Sequence, residues 1–171
     1  IKIDGVYLAV SGSDIEGFPS EASVNVTSRD RRVSMEEIHQ VSTMAKGRDL
    51  AEDRAVIHHL RRPYRLDNRS VEKPLNLEGD RLEASYWTVH GNARKIGDAI
   101  HIINGFNLHV DDVVLSALAA GSVVASDEEK KNGCLVVDIG QGATDYAAYQ
   151  DGNCVMAGSM PIGGDHISND L

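Results

Sequence analysis

The sequence predicts a mixed α/β protein in which a compact α+β unit gives way to alternating strands and helices. Three observations carry this expectation. Strand-like runs and one well-capped helix fill the chain up to His90. Helix-patterned and strand-patterned segments then alternate from Gly91 onward. Finally, the apolar run starting at Cys134 is broken by Gly140 and Gly142 and resumes through Tyr149, as in a hairpin with a glycine-rich tip. At 171 residues, with 42% hydrophobic and 25% charged residues, the chain suffices for one domain with a good core or two small ones.

The elements follow in order. Ile1 to Val10 reads as a strand feeding a Ser11-Gly12-Ser13 turn, and Ala22 to Thr27 alternates as a second strand with one buried face. Ser34 followed three residues later by Glu37 has the capping-box spacing. It opens a helix with apolar Met35, Ile38, Val41 and Ala45 at helical intervals and Gly47 as its stop. Ala55 to Leu60 is a strand, Asp67 to Gly79 is a polar loop with Pro74, and Arg81 to His90 is a strand by alternation. Beyond it, Asn92 caps a helix to about Asn104 with Ile96, Ile100 and Ile103 on one stripe, closed by Gly105. Val110 to Leu115 is a strand, Ala117 to Ala125 a helix of small residues, and Ser126 to Asn132 a solvated connector. After the hairpin come a turn at Asp151-Gly152-Asn153, a strand from Cys154 to Ile162, and a last helix entered through Gly163-Gly164-Asp165. No internal repeat is visible. The chain starts without Met and stops at Leu171 within the first turns of that helix, which predicts a fragment.

Charge excludes one class of partner. Against 17 Lys and Arg stand 26 Asp and Glu, a net charge of -9 and a pI near 5.1, so nucleic acid is not expected as a partner. No apolar run is long enough to cross a bilayer and no signal peptide is visible. Cys134 and Cys154 make no CxxC pattern; they either face each other across a hairpin or, as favoured, are buried reduced thiols of a cytoplasmic protein.

The hairpin tip is where chemistry is expected. Gly140 and Gly142 lack a Cβ, so the backbone there can take positive φ and approach a ligand closely. Successive N–H groups in such a turn can bind an anion, and Asp138 at its mouth suits a divalent cation held through water. Phosphate plus metal is the local reading, against the simpler one of a tight turn. His58-His59 is not expected to chelate, because neighbouring strand residues point to opposite faces. Arg61 and Arg62, with Arg54, form either a basic strip for an acidic partner or, preferably, a solvated edge. Trp87 is either core or an interface anchor, with core preferred.

The run Asp138-Ile139-Gly140-Gln141-Gly142-Ala143-Thr144-Asp145 resembles the second phosphate loop of the actin-like ATPases. Pro161 to Asp170 resembles a helix entry of FtsA, the actin homologue of bacterial cell division. Pro74-Leu75 with Leu77 to Ala84, Val6 to Gly12 and Leu118 to Ser122 are similar to other parts of that family. The resemblance implies portions of an actin-like (ribonuclease H-like) body carrying an inserted small SHS2-type module, called 1C. It implies residues 1–19 in the first subdomain, 20–90 in the module, 91–130 back in the first subdomain, and 131–171 opening the second. It also implies that Asp138, Gly140, Gln141, Gly142 and Ala143 contact ATP, with Mg²⁺ held by Asp138 through water and no catalytic residue in this stretch.

At the level of the whole protein, the resemblance implies polymerisation and self-association through the 1C-like module. It also implies tethering of the tubulin-like FtsZ and recruitment of later division proteins at the inner face of the membrane. The terminal amphipathic membrane helix and the first phosphate loop have no counterpart here, so this stretch is expected to bind nucleotide poorly and membrane not at all. Gln141 replaces a third glycine of the family's loop, and Ala143 replaces a frequent Thr, which removes a hydroxyl contact. Thr144 is expected to face the core and Asp145 to be a structural hydrogen-bonder rather than a metal ligand. Ser116 falls where hydrolytic members have a water-orienting Glu or Gln, implying at most a weak ATPase. The alternatives are a PilM-like scaffold of pilus assembly, against which the Pro74 to Ala84 and Gly163 to Asp170 runs speak, and a sugar-kinase-type phosphotransferase, for which neither catalytic carboxylate nor sugar pocket is found.

Overall fold

The computed structural model describes Ile3 and residues 5–169; the expected strand start at Ile1 and Lys2 and the end of the last helix at Asp170 lie outside the described residues. The order is β1 (Gly5–Val10), β2 (Glu16–Asn25), α1 (Met35–Lys46), β3 (Arg54–Arg61), β4 (Tyr64–Leu66), β5 (Arg69–Val71), β6 (Arg81–Asn92) and α2 (Ala93–Asn104). It continues with β7 (His109–Leu115), α3 (Ser116–Val124), α4 (Asp127–Asn132), β8 (Cys134–Ile139), β9 (Thr144–Gln150), β10 (Asn153–Met160) and α5 (Gly164–Asn169). These strands make three separate sheets: β1 with β7, β8 to β10, and a five-stranded sheet built on β6.

β6 is long enough to hold two different neighbours on one edge. It pairs antiparallel with β2 from Glu16↔His90 to Asn25↔Arg81, while its other edge takes β3 at one end and β4 at the other. Leu82, Ala84 and Tyr86 point to the face covered by α1, where they bury Val41, Ala45, Leu66 and Val33. Full burial of each large apolar side chain here contributes about 1.5–3 kcal/mol. α1 is anchored at its start by the expected capping box, with Glu37 Oε2 accepting from Ser34 N at 2.8 Å and Oε1 accepting from Thr27 N at 3.1 Å.

β1 and β7 are parallel hydrogen-bonded neighbours, yet residues 11–108 lie between them in sequence. A second core closes the space between the sheets, with Val89 from β6, Leu115 from β7, Ala147 from β9 and Ala157 from β10 meeting Ile15 and Ala117. Three of its six buried residues are alanines, set against the larger Ile15, Val89 and Leu115.

Several expectations need correction. The second strand begins at Glu16, not Ala22, because the whole of β6 is available to pair with it. Met35, the first residue of α1, is 62% exposed, and the buried positions of the helix are Glu37, Val41 and Ala45. The loop from Asp67 contains β5, folded back on β4 through Asp67 and Asn68, both at positive φ as a two-residue hairpin turn requires. Ser126 to Asn132 is not a connector. It is α4, with a second capping box between Ser126 and Glu129. The strand after the Asp151 turn runs Asn153–Met160 rather than Cys154 to Ile162.

Candidate functional site

The hairpin forms as expected, β8 pairing antiparallel with β9 from Cys134↔Tyr149 to Ile139↔Thr144. Its tip, residues 140–143, closes with Gly140 N donating to the Ala143 carbonyl at 2.9 Å. The start of α5 then fastens the tip from behind: Gly164 N donates to the Gly140 carbonyl at 2.9 Å and Asp165 N to the Gln141 carbonyl at 3.0 Å. Gln141 Nε2 reaches Asp165 Oδ2 at 2.9 Å, and Thr144 Oγ1 donates to the Ile162 carbonyl at 2.6 Å. Thr144 is therefore buried and structural, as its strand position predicts.

With the tip carbonyls used in this way, the N–H groups of Gln141, Gly142 and Ala143 donate to no other described backbone carbonyl. Gly140, Gln141 and Gly142 are exposed. Three successive amides at a solvent-facing turn suit an anion such as a phosphate. The conformational reason differs from the expected one. Neither Gly140 nor Gly142 has positive φ, and a Cβ on Gly142 would meet nothing. The position that demands glycine is Gly163, where a Cβ would overlap the Gln141 carbonyl. Sequence reasoning missed this role, although the Gly163-Gly164 pair was its signal.

Asp138 is half-buried at the end of β8 and its cross-strand partner is Asp145, whose own partner on β10 is Ser159. Asp145 is 1% exposed and its Oδ1 has no hydrogen-bond partner among the described residues; Ser159 Oγ is likewise buried and unpartnered. The hydrogen bond expected of Asp145 is not seen at Oδ1 among the described residues. Hard oxygen donors with unmet valence fit a cation such as Mg²⁺.

The remaining singled-out residues are structural. His58 Nε2 accepts from Leu115 N at 3.1 Å, while His59 Nδ1 meets Thr88 Oγ1 at 3.0 Å, so the two histidines diverge as expected. Arg54, Arg61 and Arg62 are neither a free basic strip nor a solvated edge. Arg54 bonds His90 Nδ1 and the Asp14 carbonyl, Arg61 lies over the Tyr64 ring and faces Glu72, and Arg62 donates to the Val155 carbonyl at 2.9 Å. Trp87 is half-buried between sheets, its Nε1 donating to the Ala157 carbonyl at 2.7 Å. Ser116 Oγ is engaged with the Val10 carbonyl at 3.1 Å. Cys134 and Cys154 are free thiols on either side of Tyr149, and burial pushes the Cys154 thiol up to about 11. Among the described residues, no helix is long and apolar enough to cross a membrane.

Fold and tip together define a mixed α/β protein with a small sheet-and-helix module set between neighbouring strands of a larger body. Residues 12–90 match the family model described as the SHS2 domain inserted in FTSA. The chain is 32% identical over 171 residues to the cell division protein FtsA of Pseudomonas aeruginosa, covering 99% of this chain and 40% of that protein. It is 29% identical over 170 residues to FtsA of Borreliella burgdorferi, covering 99% of this chain and 41% of that one, and 25% identical over 165 residues to FtsA of Bacillus subtilis, covering 96% and 38%. The chain is similar to FtsA proteins along nearly its whole length, and spans about two fifths of the length of these relatives.

Proposed function

We propose that this chain supplies the SHS2 module and the second phosphate loop of an actin-like, ATP-binding scaffold of cell division. The relatives that carry the name are cell division proteins, which supports the cellular role. The observation that supports nucleotide binding is that the amides of Gln141, Gly142 and Ala143 donate to no described backbone carbonyl, at an exposed tip whose Gly140 and Gln141 carbonyls are taken by α5. In this reading these amides hold ATP phosphates, Gly140 keeps the turn tight, and Asp138 holds Mg²⁺ through water. The hydroxyl of Ser116 is short and already committed, so the whole protein hydrolyses ATP slowly or not at all. Polymerisation, self-association through residues 20–90, tethering of FtsZ to the inner face of the membrane and recruitment of later division proteins complete the proposal for the intact protein.

The test replaces Gly142 with Asp in the intact protein. A side chain there meets open space, so the fold is expected to stand, while a carboxylate is set among the phosphate-binding amides. Equilibrium binding of a fluorescent ATP analogue should weaken at least tenfold with little change in thermal stability. Unchanged affinity would sink the assignment of the tip. Pelleting of filaments with and without ATP, and with residues 20–90 deleted, tests the assembly role.

A further inference from the structure

The small module and the body are joined by two crossings of the chain, residues 11–15 running out into β2 and residues 92–93 running back into α2. One arginine holds both. Arg54, at the start of β3, donates from Nη2 to the Asp14 carbonyl on the outgoing crossing at 2.7 Å. Its Nε donates to His90 Nδ1, beside the returning crossing, at 2.9 Å. Nη2 also reaches the His90 carbonyl at 3.4 Å and lies 3.6 Å from Glu16 Oε1. The crossings are tied to each other as well. Asn92 N donates to Asp14 Oδ2 at 3.0 Å, Lys95 Nζ to Asp14 Oδ1 at 2.6 Å, and Ala93 N to the Asp53 carbonyl at 2.8 Å.

His90 is the member of this joint whose charge changes near neutral pH. It is buried opposite Glu16 of β2, with the Phe18 ring 5.4 Å away between centroids. An arginine N–H can only donate, so Nδ1 is the bare nitrogen and the ring proton is assigned to Nε2. Arg54 from β3, Glu16 from β2 and Arg48 from the segment after α1 act on the ring, and Asp49 lines the same recess. Burial first, then the charges of Arg54 and Arg48, disfavour a second ring proton, while Glu16 favours it.

We propose that Arg54 and His90 form a pH-sensitive latch between module and body, closed while His90 is neutral and opened when its ring takes a proton. A proton on Nδ1 removes the lone pair that Arg54 Nε uses and sets an imidazolium against a guanidinium. The bond to the Asp14 carbonyl is made by the same planar fork, so it is lost with the bond to His90. The module keeps its own core of Val41, Leu66, Leu82 and Tyr86, none of which takes part in the joint. It is then free to turn about residues 11–15 and 92–93. The folded pKa of His90 lies below its ordinary value of 6.5, so the latch is fully closed above pH 6.5 and opens as pH falls below it. Nucleotide has no part in this device, so it stands or falls separately from the phosphate role of the tip.

Hydrogen exchange read by mass spectrometry at about pH 7.5 and about pH 5.5, corrected for the intrinsic pH dependence of exchange, tests the latch. A peptide covering residues 90–96 reports the bonded amides of Asn92, Ala93 and Lys95, and one covering residues 81–87 reports β6 within the module. In acid the joint peptide should lose about tenfold in protection while the β6 peptide keeps its own. His90→Asn retains an acceptor near Nδ1 but takes up no proton, and should stay protected at both pH values. Arg54→Lys keeps the charge without the fork, and should be unprotected at both. Ring ¹⁵N shifts of the parent should show the Nε2–H tautomer at the higher pH, a readout that needs no variant. Joint protection that ignores pH, the same acid loss in His90→Asn, a loss shared by the β6 peptide, or an Nδ1–H tautomer each overturns the proposal.

Discussion

Trp87 Nε1 donates to the Ala157 carbonyl at 2.7 Å, tying β6, the central strand of the five-stranded sheet, to β10 of the hairpin sheet. Gly17 makes room for this contact, since a Cβ there would overlap the indole. Replacing Trp87 with Phe removes the donor and part of the packing while keeping an aromatic ring. We expect a loss of about 1–3 kcal/mol in urea unfolding, because the carbonyl is left without its partner. Followed by circular dichroism, an unchanged midpoint would show that the inter-sheet contact carries no stability.

Gly163 is packed against the tip more tightly than any tip glycine is packed by its surroundings. Gly163→Ala must push the Gln141 carbonyl away, breaking its bond from Asp165 N. The expected outcome is a destabilisation of about 1–3 kcal/mol together with weaker ATP binding. Gly142→Ala, which meets nothing, should stay within about 0.5 kcal/mol of the parent. Equal effects in a thermal melt of the two variants would contradict the geometry.

Acid should weaken the fold through His58. Burial lowers its pKa, with the nearby Asp112 charge opposing, and its Nε2 accepts a hydrogen bond from Leu115 N that a proton would abolish. The unfolded chain takes up that proton near pH 6.5 while the folded chain resists it. The contribution is therefore complete above pH 6.5 and is lost as pH falls below that value. Unfolding free energy should drop between pH 7.5 and 5.5, and His58→Gln should flatten the drop without removing it, because His59 and His90 are lowered by burial as well. A profile identical to the parent's would refute this.

Glu37 acts at lower pH. The Ser34 hydroxyl, followed by backbone and side-chain donors at Ser34 and Thr27, holds its carboxyl down to about 2 against the effect of burial. Its folded pKa is below the ordinary value of 4.5, so its stabilisation is full above pH 4.5 and is lost as pH falls from there towards 2. Glu37→Gln should cost about 1–3 kcal/mol at pH 7 and much less at pH 3. A cost independent of pH in denaturant titrations would show that the charge is irrelevant.

What could be read in the chain was local. The capping box at Ser34 and Glu37, the Asn92 cap, the alternation of Arg81 to His90 and the bend after Asp138 each depend on residues a few positions apart. Nearest-neighbour chemistry was enough for them, and also for separating His58 from His59. α4 was equally local, and its Ser126–Glu129 box was hidden only by a run of charges that resembles solvated loop. β5 was masked by Pro74 and by polar residues that gain strand structure only once β4 lies alongside.

The sequence alone was enough for most of the element types, though not for α4 and β5, and for the glycine-bearing tip. Only the tertiary structure decided which polar side chains are left over. Trp87 finds its acceptor in Ala157 and Arg62 Nη2 in Val155, whereas Asp145 Oδ1 and Ser159 Oγ, brought into one row, and Arg62 Nε find no partner among the described residues. The physical reason is that the satisfaction of a buried polar group depends on partners remote in sequence, which no local pattern of residues records.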